Sequence, residues 1–170
     1  LDDLGLAARL DEVAPGRPNV MGLLIGNGAS GEFDRRHGLM INGHLDTVGV
    51  SGMVREPLKA VVEGDRVFGR GAFDMKGGLA MGLLALAAVK RSSVRLNRSV
   101  LFTGVVDEEH ASIGTEDVAR RYGADAAVIL EPTNLELCVA HKGFAWVSVE
   151  TFGRAAHGSS YQEGIDAIAK

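Results

Sequence analysis

Short apolar segments, separated by polar stretches, recur along the first 130 residues of the chain. Segments of this length, bounded by polar residues, are typical of buried strands. We therefore predict strands over residues 20–25, 39–42, 99–106 and 126–130. Two further segments, 59–62 and 66–69, flank Glu63-Gly64-Asp65 and predict a hairpin.

Two helices are predicted between these strands. Residues 75–90 are rich in Ala, Leu and Gly, and their apolar side chains fall on nearly every face, which indicates a buried helix. Residues 115–122 predict a short helix, because Thr115 can cap its N-terminus and Gly123 follows its last turn. Strands that alternate with helices predict an α/β fold with a largely parallel central sheet.

The two ends of the chain have different patterns. Residues 1–12 have the spacing of a helix. Apolar and polar residues mix over 144–152, which is typical of a half-exposed strand in an antiparallel sheet, and a further helix is expected from Gly164. Because both ends lie within predicted helices, we expect the chain to be a piece of a longer protein. A boundary near Gly143 divides it into the predicted domains 1–142 and 143–170.

The composition argues against several classes of partner. The net charge is −4, and no block of basic residues offers a surface for nucleic acid. No apolar run approaches the roughly 20 residues that a membrane span needs. We therefore expect no nucleic-acid and no membrane partner. We also expect a cytoplasmic location, since nothing suggests secretion apart from the glycosylation pattern Asn97-Arg98-Ser99, which is interpreted as a chance match. The single cysteine, Cys138, lies in an apolar segment and is predicted to be a small buried side chain.

A glycine pattern after the first apolar strand resembles a dinucleotide-binding turn. Gly26, Gly28 and Gly31 fit GxGxxG. In such a turn the third glycine begins a helix that binds the pyrophosphate. Seven residues separate Gly31 from the next apolar segment, too few for that helix. We therefore predict a loop here rather than a nicotinamide-binding site.

Acidic and imidazole side chains lie at the ends of the apolar segments. Ligands of open α/β sheets bind beyond the carboxyl ends of the strands, so we expect these side chains to share one crevice. Their combined negative charge requires bound cations, and carboxylate with imidazole suits Zn, Co or Mn. Each residue alone also fits a turn, a helix cap or an exposed loop. The set comprises His44, Asp46, Asp74, Glu108, Glu109 and Glu131.

Five motifs, in the same order along the chain, resemble those of the dinuclear zinc amidohydrolases. They are GHLDTV, GRGAFDMKGGLA, DEE, EPT and GRAAHGS. This family includes acetylornithine deacetylase, succinyl-diaminopimelate desuccinylase, aminoacylases and related carboxypeptidases. The resemblance covers residues 19–170 and is closest to the deacetylase and desuccinylase branch. It implies a three-layer α/β catalytic domain, followed by the start of a smaller α+β dimerisation or lid domain.

The resemblance implies ligands for two divalent ions, Zn or Co, in each full-length subunit. His44 and Glu131 would bind the first ion and Glu109 the second. Asp74 would bridge both ions, from a segment with a cis peptide bond to Met75. A further histidine ligand of the second ion would lie beyond the end of this chain. We therefore expect the 170-residue chain to bind one ion much better than two and to have little amidase activity.

The resemblance also implies residues that serve catalysis. Asp46 would orient the His44 ring through its carboxylate, and Glu108 would act as general base and general acid. His157 would reach into the site of a partner subunit and stabilise the oxyanion, which implies a homodimer formed through the second domain. Asp107 is interpreted as a structural residue.

The expected reaction is hydrolysis of the amide bond of an N-acyl amino acid by a metal-activated water. A carboxypeptidase or dipeptidase of the same family is an alternative, so the expected partner is an N-acyl amino acid or a short peptide. A non-catalytic metal-binding or dimerisation module is an alternative of another class. That alternative gives Glu108 no role.

Overall fold

The computed structural model describes residues 1–29, 31–143 and 145–169. These residues form two compact units, one of residues 1–135 and one from residue 136 onward. The first unit contains all the β-strands and α-helices of the described residues. The domain boundary near Gly143 stays a prediction.

The strands of the first unit form a five-stranded sheet and a separate two-stranded hairpin. They are β1 (Ala7–Ala14), β2 (Arg17–Leu24), β3 (Arg36–His44), β4 (Val61–Glu63), β5 (Arg66–Phe68), β6 (Val100–Val105) and β7 (Gly123–Ile129). The order across the large sheet is β1-β2-β6-β3-β7, in which β6, β3 and β7 are parallel and β1 and β2 are antiparallel to their neighbours. The four predicted core strands and the β4–β5 hairpin are therefore confirmed, within a mixed sheet.

Helices cover both faces of the large sheet. Helix α1 (Gly77–Arg91) packs Leu79 against Ile41 and Phe102. Helix α2 (Ile113–Arg121) packs Val118 against Leu101, which points to the opposite face from its neighbour Phe102. This arrangement confirms the predicted three-layer α/β fold.

Helix α1 is buried on one face, not on all sides as predicted. Leu79 and Leu86 are buried against the sheet, whereas Met81 and Leu84 are 54% and 69% exposed, because the sheet covers a single face of the helix. By length and composition alone, the 20 residues Ala72–Arg91 could cross a membrane. The prediction that no apolar run is long enough for a membrane span is therefore wrong. The core helix of a globular domain passes the same test, and the face packed on the sheet is typical of one.

The helix predicted over residues 1–12 is wrong. A single 3₁₀ turn, Asp2–Leu4, ends at Gly5 with φ 69°. The chain then enters β1, which pairs with β2 in continuous register from Ala7 opposite Leu23 to Glu12 opposite Pro18. Pairing with a strand of the core outweighs the local helical pattern, because sequence propensity is a weak preference.

The strand predicted in the second unit is also wrong. Residues 145–152 form no strand, and Phe144 lies outside the described residues. A strand needs hydrogen-bonded neighbours to be stable, and among the described residues of this unit one isolated bridge joins Arg154 and Ile165. The apolar side chains of the segment are accordingly exposed, as Trp146 shows.

Two smaller predictions for the second unit are contradicted. Residues 164–169 form no helix, and a 3₁₀ turn at Gly158–Glu163 precedes them. Cys138 is exposed rather than buried. Its neighbours Leu137 and Val139 are exposed as well, because this segment does not join a sheet.

Candidate metal centre

Three side chains from separate elements meet at the carboxyl end of the central sheet. His44 is the last residue of β3, Asp74 precedes α1, and Glu131 follows β7. His44 Nε2 lies 3.0 Å from an Asp74 carboxylate oxygen and 3.8 Å from a Glu131 carboxylate oxygen. One ligand atom from each residue lies within 4.8 Å of the other two. The structure therefore brings together three of the four predicted metal ligands.

The sheet and α1 explain why these residues meet. Strands β3 and β7 are parallel neighbours, and the ladder continues to the Leu130 N–H, which donates to the Asn42 carbonyl at 2.9 Å. Glu131 therefore leaves β7 beside the end of β3. The start of α1 approaches the same point, because Gly78 has no side chain: a Cβ there would lie 2.1 Å from the Leu130 carbonyl oxygen. This close approach positions Asp74 next to Glu131.

Asp74 lies in a broken helical turn, Ala72–Lys76. The Asp74–Met75 peptide bond is cis, as predicted. The turn begins at Gly71, whose φ is 77°, and a Cβ at Gly71 would lie 2.6 Å from Thr47 Cγ2. Both observations require glycine at this position. The turn leaves the Asp74 side chain half-exposed, with one carboxylate oxygen against the His44 ring.

Asp46 contacts His44 in a different way from the one predicted. The His44 Nδ1 atom lies 3.0 Å from the main-chain carbonyl of Asp46, and the Asp46 carboxylate is 3.7 Å away, beyond hydrogen-bond distance. The carboxylate instead accepts the backbone N–H groups of Glu108 and Glu109, at 3.2 and 3.1 Å. Asp46 thus orients the His44 ring with its backbone and holds the loop after β6 with its side chain.

That loop is compact. Asp107 has φ 55°, and its carbonyl accepts the N–H groups of Ala111 and Ser112 at 3.1 and 2.6 Å. Its carboxylate pairs with Arg17 on β2. These contacts agree with the structural interpretation of Asp107. They hold Glu108 and Glu109 near the three-residue cluster, although Glu109 is not within the group of mutually close ligand atoms.

Burial and the neighbouring carboxylates raise the pKa of Glu131 above its ordinary value. Burial raises the pKa of Glu131, the charge of His44 opposes this, and the charges of Asp74, Glu108 and Glu109 raise the pKa further. Glu108 and Glu109 are therefore near enough to act on the cluster. Crowded acids of this kind are stabilised by a bound cation, which removes their mutual repulsion.

The His44 ring presents a ligand nitrogen to these acids. Its Nδ1 faces a carbonyl, which can only accept, so the neutral ring carries its proton there and keeps a lone pair on Nε2. Burial lowers the pKa of His44, but the protonated ring can donate hydrogen bonds to the Asp74 carboxylate and the Asp46 carbonyl, and these bonds, with the charge of Glu131, raise the pKa overall. One nitrogen and two carboxylates fit a borderline divalent cation such as zinc.

Asn19 is a functional candidate that sequence reasoning missed. It is fully buried on β2; its side-chain oxygen accepts the Val106 N–H at 3.0 Å, and its amide donates to the Gly114 carbonyl at 3.0 Å. These two bonds join both ends of the loop that carries Glu108 and Glu109. A single asparagine in an apolar strand gives no local signal of this role.

His157 lies in the second unit. Its ring is exposed, and Nδ1 lies 2.9 Å from the Ser159 hydroxyl and accepts the Ser159 N–H at 3.3 Å. The predicted role of His157 in the site of a partner subunit stays a prediction.

Comparison with known proteins identifies relatives. Residues 40–167 match the sequence model of Peptidase family M20/M25/M40. The chain is 33% identical over 174 residues to acetylornithine deacetylase of Salmonella arizonae, which covers 98% of the chain and 42% of the relative. It is 32% identical over 163 residues to carboxypeptidase G2 of a Pseudomonas species, covering 91% and 39%. It is 31% identical over 141 residues to N-formyl-4-amino-5-aminomethyl-2-methylpyrimidine deformylase of Bacillus subtilis, covering 81% and 32%.

Solved structures have the same fold. A metallo-carboxypeptidase of the M20 family from Sulfolobus solfataricus superposes with a TM-score of 0.61 at 26% identity, over 75% of this chain and 29% of that one. A tripeptidase from Staphylococcus aureus superposes with a TM-score of 0.65 at 22% identity, over 98% and 45%. The chain thus spans less than half the length of each of these relatives.

Proposed function

Because the chain belongs to Peptidase family M20/M25/M40, we propose that it supplies much of the active site of a metal-dependent hydrolase that cleaves the amide bond of N-acyl amino acids. The observation that carries this proposal is the meeting of His44, Asp74 and Glu131 within 4.8 Å, from three elements far apart in sequence. Scattered surface acids would not converge on one buried imidazole at the carboxyl end of a sheet.

We assign two metal positions. His44, Asp74 and Glu131 would hold the first ion, and Asp74 with Glu109 would hold the second. The donor set suits zinc or cobalt. The support for the first position is the donor geometry, and for the second it is the placement of Glu109 on the loop held by Asp46.

Glu108 is proposed as general base and general acid. A bound divalent ion lowers the pKa of water and polarises a carbonyl. Glu108 accepts the proton of the attacking water and returns it to the departing amine nitrogen, so that a carboxylic acid and a free amine result. The Asp46 carboxylate supports this role, because it fixes the Glu108 backbone at 3.2 Å.

Acyl-group removal is the favoured reaction among amide hydrolyses. Two of the relatives, a deacetylase and a deformylase, are named for removing an acyl group. Carboxypeptidase or dipeptidase activity is the second candidate, favoured by the 32% identity to carboxypeptidase G2. Both reactions would use the same metal-binding side chains and the same general base. They differ in the substrate groups on either side of the cleaved amide bond.

We also propose that the protein acts as a homodimer through its second domain, with His157 stabilising the oxyanion in the partner subunit. A cytoplasmic location is the matching proposal for an enzyme of this kind. The GRAAHGS motif and the exposed ring of His157 support this role.

An activity screen of the intact protein tests the proposed function. The metal-free protein, prepared with a chelator, is assayed with N-acetylornithine, N-succinyl-diaminopimelate and several dipeptides, before and after addition of zinc or cobalt. We expect hydrolysis of an N-acyl amino acid that depends on the added metal. Hydrolysis that is indifferent to chelator, or release of products from dipeptides alone, would contradict the favoured assignment.

A further inference from the structure

The two residues after Asp74 contact the backbone around His44. The Met75 thioether accepts the His44 N–H at 3.1 Å, and Lys76 Nζ donates to the Leu45 carbonyl at 2.7 Å. We propose that Met75 and Lys76 are positioning residues that set the separation of His44 and Asp74, and thereby the affinity of the first metal position. This inference rests on the proposed function, because it concerns the same cluster.

Met75 provides an acceptor for the His44 N–H, which has no partner in a neighbouring strand among the described residues. The Leu45 N–H donates to Val105 on β6, so the His44 N–H points to the other edge of β3. On that edge the register of β7 ends with Ile129 opposite Asn42. Met75, which is fully buried, fills the position beyond the end of β7. Sulfur is a weak hydrogen-bond acceptor, but the Met75 sulfur is the acceptor that the buried His44 N–H contacts.

The contact of Lys76 holds the next peptide group. Its side chain runs past Gly71, where a Cβ would lie 3.2 Å from the Lys76 Cε, and its own N–H donates to the Gly71 carbonyl at 2.8 Å. The ammonium group then reaches the Leu45 carbonyl, which lies between the metal ligand His44 and Asp46. Hydrogen bonds with a charged donor are stronger than neutral ones.

Together the two contacts join the Asp74 segment to the end of β3. Met75 and Lys76 follow Asp74 directly, and the groups that they hold, the His44 N–H and the Leu45 carbonyl, lie on the main chain on either side of the His44 Cα. The 3.0 Å separation of His44 Nε2 and the Asp74 carboxylate therefore depends on both. Residues that orient metal ligands from behind change metal affinity by about 10–100-fold when they are replaced.

Zinc affinity of the intact protein tests the inference. The variants are Lys76→Met, which keeps the aliphatic stem at an exposed position, and Met75→Leu, which keeps the apolar volume. Lys90→Met and Met81→Leu, at exposed positions of α1, are the matched controls. The dissociation constant of the tighter zinc site is measured by competition with a chromophoric chelator, and the visible spectrum of the cobalt-loaded protein reports ligand geometry.

We expect the zinc dissociation constant to rise by about 10–100-fold in both variants, with a changed cobalt spectrum and an unchanged circular dichroism spectrum. Lys76→Arg, which keeps a cationic donor, should recover most of the affinity. Both controls should match the unaltered protein. Unaltered zinc affinity and an unaltered cobalt spectrum in Lys76→Met and Met75→Leu would overturn this inference but not the proposed function. Absence of zinc binding by the unaltered protein would overturn the proposed function as well.

Discussion

The carboxylate of Asp46 accepts the backbone N–H of Glu109 at 3.1 Å. Through this bond, and its counterpart from Glu108, one side chain at the end of β3 fixes the loop at the end of β6. The carbonyl of the same residue orients the His44 ring. Asp46 therefore connects the proposed first metal position to the proposed second position and to the general base.

Replacing Asp46 with Asn should lower turnover by about tenfold or more, because an amide side chain has one acceptor oxygen for two N–H groups. The affinity of the tighter zinc site should change little, since the His44 ring keeps its bond to the main-chain carbonyl. Steady-state kinetics and zinc titration of the intact protein measure both effects. Glu63→Gln, at an exposed position on β4, is the control. Loss of the tighter zinc site would show instead that the carboxylate acts on His44.

Replacing Glu108 with Gln should lower turnover by about 10²–10⁴-fold, because the amide cannot carry the proton from water to amine. Zinc content, measured by atomic absorption after gel filtration, should equal that of the unaltered protein. A variant that keeps its turnover would remove Glu108 from the mechanism and favour a non-catalytic module.

Replacing Asn19 with Ala should lower the free energy of unfolding by about 1–3 kcal/mol, because the Val106 N–H and the Gly114 carbonyl lose their buried partner. Urea unfolding followed by circular dichroism measures the change. Asn97→Ala, at an exposed position, should have little effect. Equal stability of the two variants would show that the loop ends do not depend on Asn19.

His37 should make the fold sensitive to acid. Burial lowers the pKa of His37 below its ordinary value of 6.5, more than the backbone and charge of Asp34 raise it. The unfolded chain therefore takes up a proton below pH 6.5 that the folded chain refuses until a lower pH, so stability is lost as the pH falls through this range.

The unfolding free energy of His37→Phe, measured at the same zinc concentration, should fall less between about pH 7 and pH 5 than that of the unaltered protein. The aromatic ring is retained because the imidazole packs near Tyr122, with ring centroids 6.2 Å apart. An identical decline in both proteins would assign the acid sensitivity to other groups.

The central sheet and the cluster of His44, Asp74 and Glu131 could be predicted, because both follow from short-range patterns in the sequence. Apolar segments predict β3 and β7, and parallel neighbours place the residues after them at one edge. His44 and Glu131 follow from this rule, and the apolar helix after Asp74 adds the third residue. The N-terminal helix and the strand over 144–152 were wrong, because pairing partners decide such segments and the local pattern does not contain them.

The contacts that hold the site could not be predicted. Asp46 was expected to orient His44 with its carboxylate, yet the loop after β6 brings two N–H groups closer to that carboxylate. Met75 and Lys76 act on a strand about thirty residues earlier in the sequence, where their positions depend on how α1 approaches β3. Spacing along the chain carries no information about such approaches.

Anomalous diffraction at the zinc absorption edge, from crystals of the intact protein grown with zinc, tests whether His44, Asp74 and Glu131 together bind a metal ion. We expect a zinc peak about 2.0–2.2 Å from His44 Nε2 and from carboxylate oxygens of Asp74 and Glu131. Zinc bound elsewhere, with these three side chains outside its coordination sphere, would contradict it.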